Sequence, residues 1–169
     1  NVNSDQFIDL NSLHFTVEVH NDATTNAVSF LAPTPHILWD RMIITLGGIT
    51  VEDFQYYNHT ECRFQTFLHR DKRKDNASLG FGRKSGTDEM EIWQAKAIPA
   101  YSKKRVVMKP HISGLLQGQH KYVPGFALGQ QGLRIQLHIA QAADIASTST
   151  GKSQTLSIRD MRVCCNTTM

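Results

Sequence analysis

Eight histidines and three cysteines are the residues of this 169-residue chain best suited to metal or nucleophile chemistry, so their spacing is the first test. A metal site on a β-barrel usually presents two imidazoles one residue apart on a strand, both pointing inward, with a carboxylate further on. His14, His20, His36, His59, His69, His111, His120 and His138 contain no such pair along the chain. His14, His20 and His138 fall on the polar phase of alternating stretches and read as surface or inter-subunit side chains. No metal ligands, cofactor site or catalytic residues are therefore expected. Cys62, Cys164 and Cys165 are too few for a disulfide scaffold. Neighbours on a strand face opposite ways, so Cys164 and Cys165 cannot share one core layer, and the cysteines read as free thiols in a reducing compartment.

The other chemistry-bearing motifs are weak. Gly151-Lys152-Ser153 has the tail of a phosphate loop, yet Ala146 stands where the first glycine belongs. Gly80-Phe81-Gly82 neither follows a strand nor opens a helix, which removes a dinucleotide fingerprint. The chain contains no Gly-x-Ser-x-Gly elbow and no His-Glu-x-x-His, so it is not expected to be an enzyme. Arg70, Lys72, Arg73 and Lys74, with Lys103, Lys104 and Arg105, could meet phosphates or a neighbouring subunit. Asp71 and Asp75 interleave the first run and no aromatic platform accompanies it, so a solvated loop is the plainer reading. Asn58, Asn76 and Asn166 open Asn-x-Ser/Thr sequons, but Asn58 falls within a predicted helix, an unusual place for a glycan.

The elements that would position these residues are clearest between Arg41 and Leu68. Gly47-Gly48 separates two β-rich runs and supplies the positive φ angles of a two-residue hairpin turn. That turn pairs Leu46 with Ile49, Thr45 with Thr50 and Ile44 with Val51. It places Met42, Ile44, Leu46, Ile49 and Val51 on one apolar face. Asp53 is a candidate cap for a following helix, with Phe54, Tyr57, Phe64 and Leu68 as its apolar stripe and Gln55, His59, Arg63 and Gln65 elsewhere.

Upstream, residues 1–9 read as a polar arm. Leu13 to His20 alternates as a half-buried strand, and Ala27 to Leu31 is a second strand ended by Pro33 and Pro35. Residues 69–90 form a long exposed loop, and a strand is predicted over Lys104 to Ile112. Leu133 to Ala140 alternates cleanly, and residues 141–154 hold a second loop. In Leu156 to Cys164 the apolar phase changes across Asp160, from Leu156 and Ile158 to Met161 and Val163, which predicts a β-bulge.

Short strands, many turns and one helix imply an all-β, antiparallel sandwich or barrel in a single domain spanning 1–169. Such a chain buries roughly 70% of its unfolded surface without staples. A formal charge of +3 permits nucleic-acid binding without demanding it. No apolar run reaches the roughly 18–20 residues of a membrane helix, and no charged-then-apolar leader opens the chain. The first residue is Asn1 rather than Met, which fits a processed chain or a piece of a longer one.

The succession Phe7-Ile8-Asp9-Leu10, Pro35-His36, Met42 to Gly48 and Tyr56-Tyr57 resembles the start of a jelly roll in capsid proteins. The family is that of the major capsid proteins of the double-jelly-roll virus lineage, found in polinton-like, adintovirus-like and nucleocytoplasmic large DNA viruses. His111 to Leu116 with Lys121 to Pro124 resembles the turn before that family's last strands, and Leu133 to Ala140 and Ile158 to Val163 resemble the strands. The resemblance implies an antiparallel jelly-roll sandwich with one helix after the Gly-Gly hairpin, either alone or as half of a two-roll chain. It further implies a non-enzymatic structural protein of the virion, assembled in the host cytoplasm or nucleus. Its partners would be itself, as a trimeric capsomer, and neighbouring capsid proteins. A secreted lectin-like or cytokine-like binding module, which would carry glycans at the sequons, is the alternative. A cupin-like enzyme, which needs clustered metal ligands, ranks third.

Overall fold

The computed structural model describes residues 6–32, 34–67, 97–117, 122–128, 131–147 and 151–168. They form two antiparallel sheets around one apolar core. The first sheet is built on β1 (Phe7–Asn21), and the second on β2 (Trp39–Leu46). β3 (Ile49–Phe54) leads into the helix α1 (Tyr57–Phe67), which is followed by β4 (Lys103–Met108), β5 (Tyr122–Pro124), β6 (Leu133–Ile139) and β7 (Leu156–Thr168). β4 and β5 lie along one side of β1 and β7 along the other, while β3 and β6 flank β2. No helix among the described residues is long and apolar enough to cross a membrane.

β1 is longer than its alternation predicts, because residues 7–9 of the expected arm pair with both β5 and β7. The buried phase changes within it, from Ile8 and Leu10 to Leu13, Phe15, Val17 and Val19, across a register shift between Asp9 and His14. Local side chains replace the interrupted ladder bonds there. The Asp9 carboxylate accepts the Asn11 N–H at 3.0 Å, and the Ser12 hydroxyl donates to the Asp9 carbonyl and accepts the Asn166 N–H, each at 2.7 Å. The second irregularity falls where the phase of the last strand predicts it. Val17 faces two residues of β7, Asp160 and Met161, and Asp160 has a φ of 48°. Ala27 to Leu31 differs from its prediction: it forms only isolated bridges, at Ala27, Val28 and Phe30, to three separate partners.

The hairpin is the predicted one at its tip. Gly47 and Gly48 have φ of 56° and 88°, the pair of positive angles a type I′ turn requires, and Leu46 faces Ile49 and Thr45 faces Thr50. The expected Ile44–Val51 pair does not form. Val51 is bulged out and Ile44 faces Glu52. The predicted apolar face is therefore split: Met42 and Ile44 are buried, while Ile49 and Val51 are 72% and 46% exposed. The bulge brings Glu52 onto the loop after β4 and leaves Asp53 inside β3, where it accepts two hydrogen bonds from Arg41 at 2.8 and 2.6 Å instead of capping α1.

α1 also turns differently from its predicted stripe. Tyr57, Glu61 and Gln65 face inward, and Phe64 and Phe67 are exposed. The helix packs on the 3₁₀ turn Pro35–Leu38 and on β2, so its inner face is set by a polar row at four-residue spacing. Leu68, the last residue of the predicted stripe, lies outside the described residues.

Candidate functional site

Three elements far apart in the chain converge on one buried polar cluster. Pro35 opens the 3₁₀ turn, where its fixed φ suits a first helical position, and all four residues of that turn are buried, which sends the His36 ring inside. α1 contributes Tyr57, Glu61 and Gln65 from successive turns of one face. His111 comes from the segment after β4, just past Pro110, a residue that cannot donate to a ladder. The Glu52 carboxylate fixes that segment by accepting the Ser113 hydroxyl at 2.5 Å and the Leu115 N–H at 2.9 Å, while Ser113 Oγ accepts the Leu116 N–H at 3.0 Å.

Within the cluster, His36 Nδ1 is 2.9 Å from the Tyr57 hydroxyl. The other ring nitrogen, Nε2, faces Glu61 Oε1 at 3.7 Å, too far for a hydrogen bond. Glu61 Oε1 lies 2.8 Å from His111 Nδ1 and accepts the Gln65 amide at 3.2 Å. The two imidazoles meet edge to face with centroids 5.3 Å apart. His36 and Glu61 are 1% and 0% exposed at their side chains, whereas His111 keeps 28%. His36 Nε2 and Glu61 Oε2 are buried and have no hydrogen-bond partner among the described residues. Each such atom costs about 1–3 kcal/mol in desolvation.

Burial pushes the His36 imidazole down to about 4, with Glu61 pulling it up and His111 pushing it further down, so the ring is neutral near pH 7. For Glu61, burial favours the protonated acid, but the His111 hydrogen bond, the two imidazoles and the Gln65 amide outweigh it and hold the carboxyl below its usual range. Burial, with Glu61 and Cys62 adding to it, raises the Tyr57 phenol well above 10. Burial, reinforced by Glu61, raises the Cys62 thiol to about 12. Tyr57 and Cys62 thus keep their protons and are poor nucleophiles. The cluster presents a neutral imidazole and a carboxylate, with donor atoms of His36, Glu61 and His111 all within 4.8 Å of one another.

A second charged cluster lies on the surface of the first sheet. Glu18 accepts Arg105 at 2.7 Å, Lys103 at 3.2 Å and His20 at 3.3 Å. Arg105 also reaches Asp160 at 2.8 Å, and Asp160, on the bulge, holds Arg162 at 2.9 Å. The hydrogen bonds from Lys103 and Arg105 pull Glu18 down to about 2.

Of the residues singled out in the sequence, Gly47 and Gly48 form the expected turn. A Cβ on Gly48 would run into the side-chain carbonyl of Gln131. Arg70, Lys72, Arg73 and Lys74 lie outside the described residues, as do His69, Asn76 and His120. Lys103 and Arg105 are paired with carboxylates on the sheet surface. Asn58 is buried and closed to a glycan in the folded state, whereas Asn166 is exposed on β7. All three cysteines are free. The convergence of His36, Glu61 and His111 was missed, because pairing histidines by proximity in sequence cannot find partners joined by the fold. The available signal was the row Tyr57, Glu61, Gln65 on α1, which an apolar stripe through Phe64 obscures. The chain matches no protein-family model and no curated protein.

Proposed function

We propose that this chain is a structural capsid protein, a jelly roll that packs into a capsomer and self-assembles into a virion shell. Two antiparallel sheets sharing a core are the architecture such a roll requires. The observation that carries the reading is the pair of open, partly apolar sheet edges. β7 runs for 13 residues with Met161 and Val163 exposed, and β3 exposes Ile49 and Val51. Among the described residues, no strand pairs with the outer edge of either. Unprotected apolar edges are a liability in a free monomer and an asset where a neighbouring subunit covers them. Assembly then follows from geometry, with the buried faces holding the sandwich together and the edges and loops choosing neighbours. Sedimentation velocity across a concentration series tests this, with trimers or larger assemblies expected. A strictly monomeric species at high concentration overturns it.

The alternative, a secreted jelly-roll binding module, retains one described acceptor, the exposed Asn166. Enzymatic deglycosylation of protein from a eukaryotic host discriminates the two. A mass shift favours the secreted module, and a single unmodified mass favours the capsid reading.

A further inference from the structure

We propose that His36, Glu61 and His111 form a structural zinc site that ties α1 to the two-sheet body. The donor set is two imidazoles and one carboxylate, the mixed nitrogen and oxygen ligation that suits zinc rather than calcium or magnesium, which take oxygen ligands. Two buried atoms of this donor set, His36 Nε2 and Glu61 Oε2, have no hydrogen-bond partner among the described residues. A cation held by His36 Nε2 and by both oxygens of Glu61 gives each of these atoms a partner.

The surroundings complete the pattern of a ligated histidine. In the tautomer that binds metal, His36 Nδ1–H donates to the Tyr57 hydroxyl oxygen at 2.9 Å, which fixes the ring and leaves Nε2 for the ion. The Gln65 amide, from the next turn of α1, lies 3.2 Å from the carboxylate and 3.0 Å from His111 Nδ1, and it keeps the carboxylate contact when the metal takes the ring nitrogen. Zinc–nitrogen bonds near 2.05 Å place tetrahedral ligand atoms about 3.3 Å apart. The Glu61 Oε1 contacts to His111 and His36, at 2.8 and 3.7 Å, bracket that spacing. The His36 and His111 donor atoms, within 4.8 Å of each other, close up as the metal draws in His111, the partly exposed member of the set and the side from which an ion enters. Glu61 Oε2, the second carboxylate oxygen, supplies the fourth ligand.

The test is direct on the 169-residue chain. After chelation and dialysis, zinc titration followed by calorimetry should give about one ion per chain and raise the Tm. Cobalt substitution should give the visible bands of a tetrahedral site without the intense ultraviolet thiolate band. His111→Asn, at the accessible ligand, should keep the near-ultraviolet circular dichroism of the fold and lose at least 100-fold in zinc affinity. The Cys164→Ser, Cys165→Ser double variant should bind zinc as the parent does. Absence of stoichiometric binding, parent-like affinity in His111→Asn, or loss of binding with the cysteines overturns the proposal. Should His111→Asn fail to fold, cadmium-113 NMR of the parent decides. A resonance coupled to histidine ring protons supports the site, and one at a thiolate shift overturns it.

Discussion

The buried cluster under α1 and the charged network across β4, β1 and β7 have similar ingredients, carboxylates facing histidines and cations, in opposite solvents. On the sheet surface both carboxylates of the network are matched. Glu18 has three donors and Asp160 two, all from residues that stay partly in water. Such pairs give modest stability and are weakened by salt, so the network orders side chains on the sheet more than it holds the sheet together. Beneath α1 the carboxylate is fully enclosed, one of its oxygens has no partner among the described residues, and the facing imidazole stays neutral. The cost of desolvation is met in full there and recovered only in part. The same residue types are thus incidental at one place and consequential at the other, because burial decides how much each unmade contact costs.

That contrast is broken most severely at Glu61. In chelated protein, Glu61→Ala removes the acceptor for His111 and Gln65 inside an enclosed site, and a loss of about 3–5 kcal/mol in urea denaturation is expected. A loss below about 1 kcal/mol would place the cluster on the same footing as the surface network. Tyr57→Phe is gentler, since it deletes one oxygen and leaves the ring in place. His36 Nδ1 then joins Nε2 without a partner, and about 1–3 kcal/mol should be lost by the same measurement. An unchanged midpoint would mean that the ring re-pairs elsewhere.

Alternating stretches were the most legible part of the molecule. Phe15, Val17 and Val19 are buried as their spacing requires, and the phase change across Asp160 marks a real bulge, because side-chain alternation in a strand has a strict period of two. The Gly-Gly turn was legible because only positive φ closes it. The bulge at Val51 was not, since it is stabilised by where Glu52 goes, a contact with Ser113 and Leu115 far along the chain. The buried cluster was illegible for a related reason. Helical periodicity finds apolar stripes, and α1 turns a polar row inward because its partners, His36 and His111, arrive from other elements. The segment with Arg70, Lys72, Arg73 and Lys74 lies outside the described residues, so the contact expected of it stands as a sequence reading.

The smallest expected effect is on the surface network, and pH separates it from the cluster. Glu18 is held at about 2 in the folded chain by Lys103 and Arg105, against roughly 4.3 for a free glutamate. Its folded value is the lower one, so the unfolded chain binds a proton first as the pH falls. The contribution of ionised Glu18 is therefore complete above about pH 4.3 and is lost progressively down to about pH 2. Glu18→Gln should barely move the urea midpoint near neutral pH in high salt, where screening already weakens the pairs. It should lose less than the parent between about pH 5 and pH 2.5, because the group that titrates in that window is gone. Asp53, also held low by its Arg41 hydrogen bonds, titrates in both proteins and cancels in the comparison. An identical acid limb in parent and variant would show that Lys103 and Arg105 hold Glu18 no more firmly than water does, and the contrast between the two clusters would then be wider than the contacts suggest.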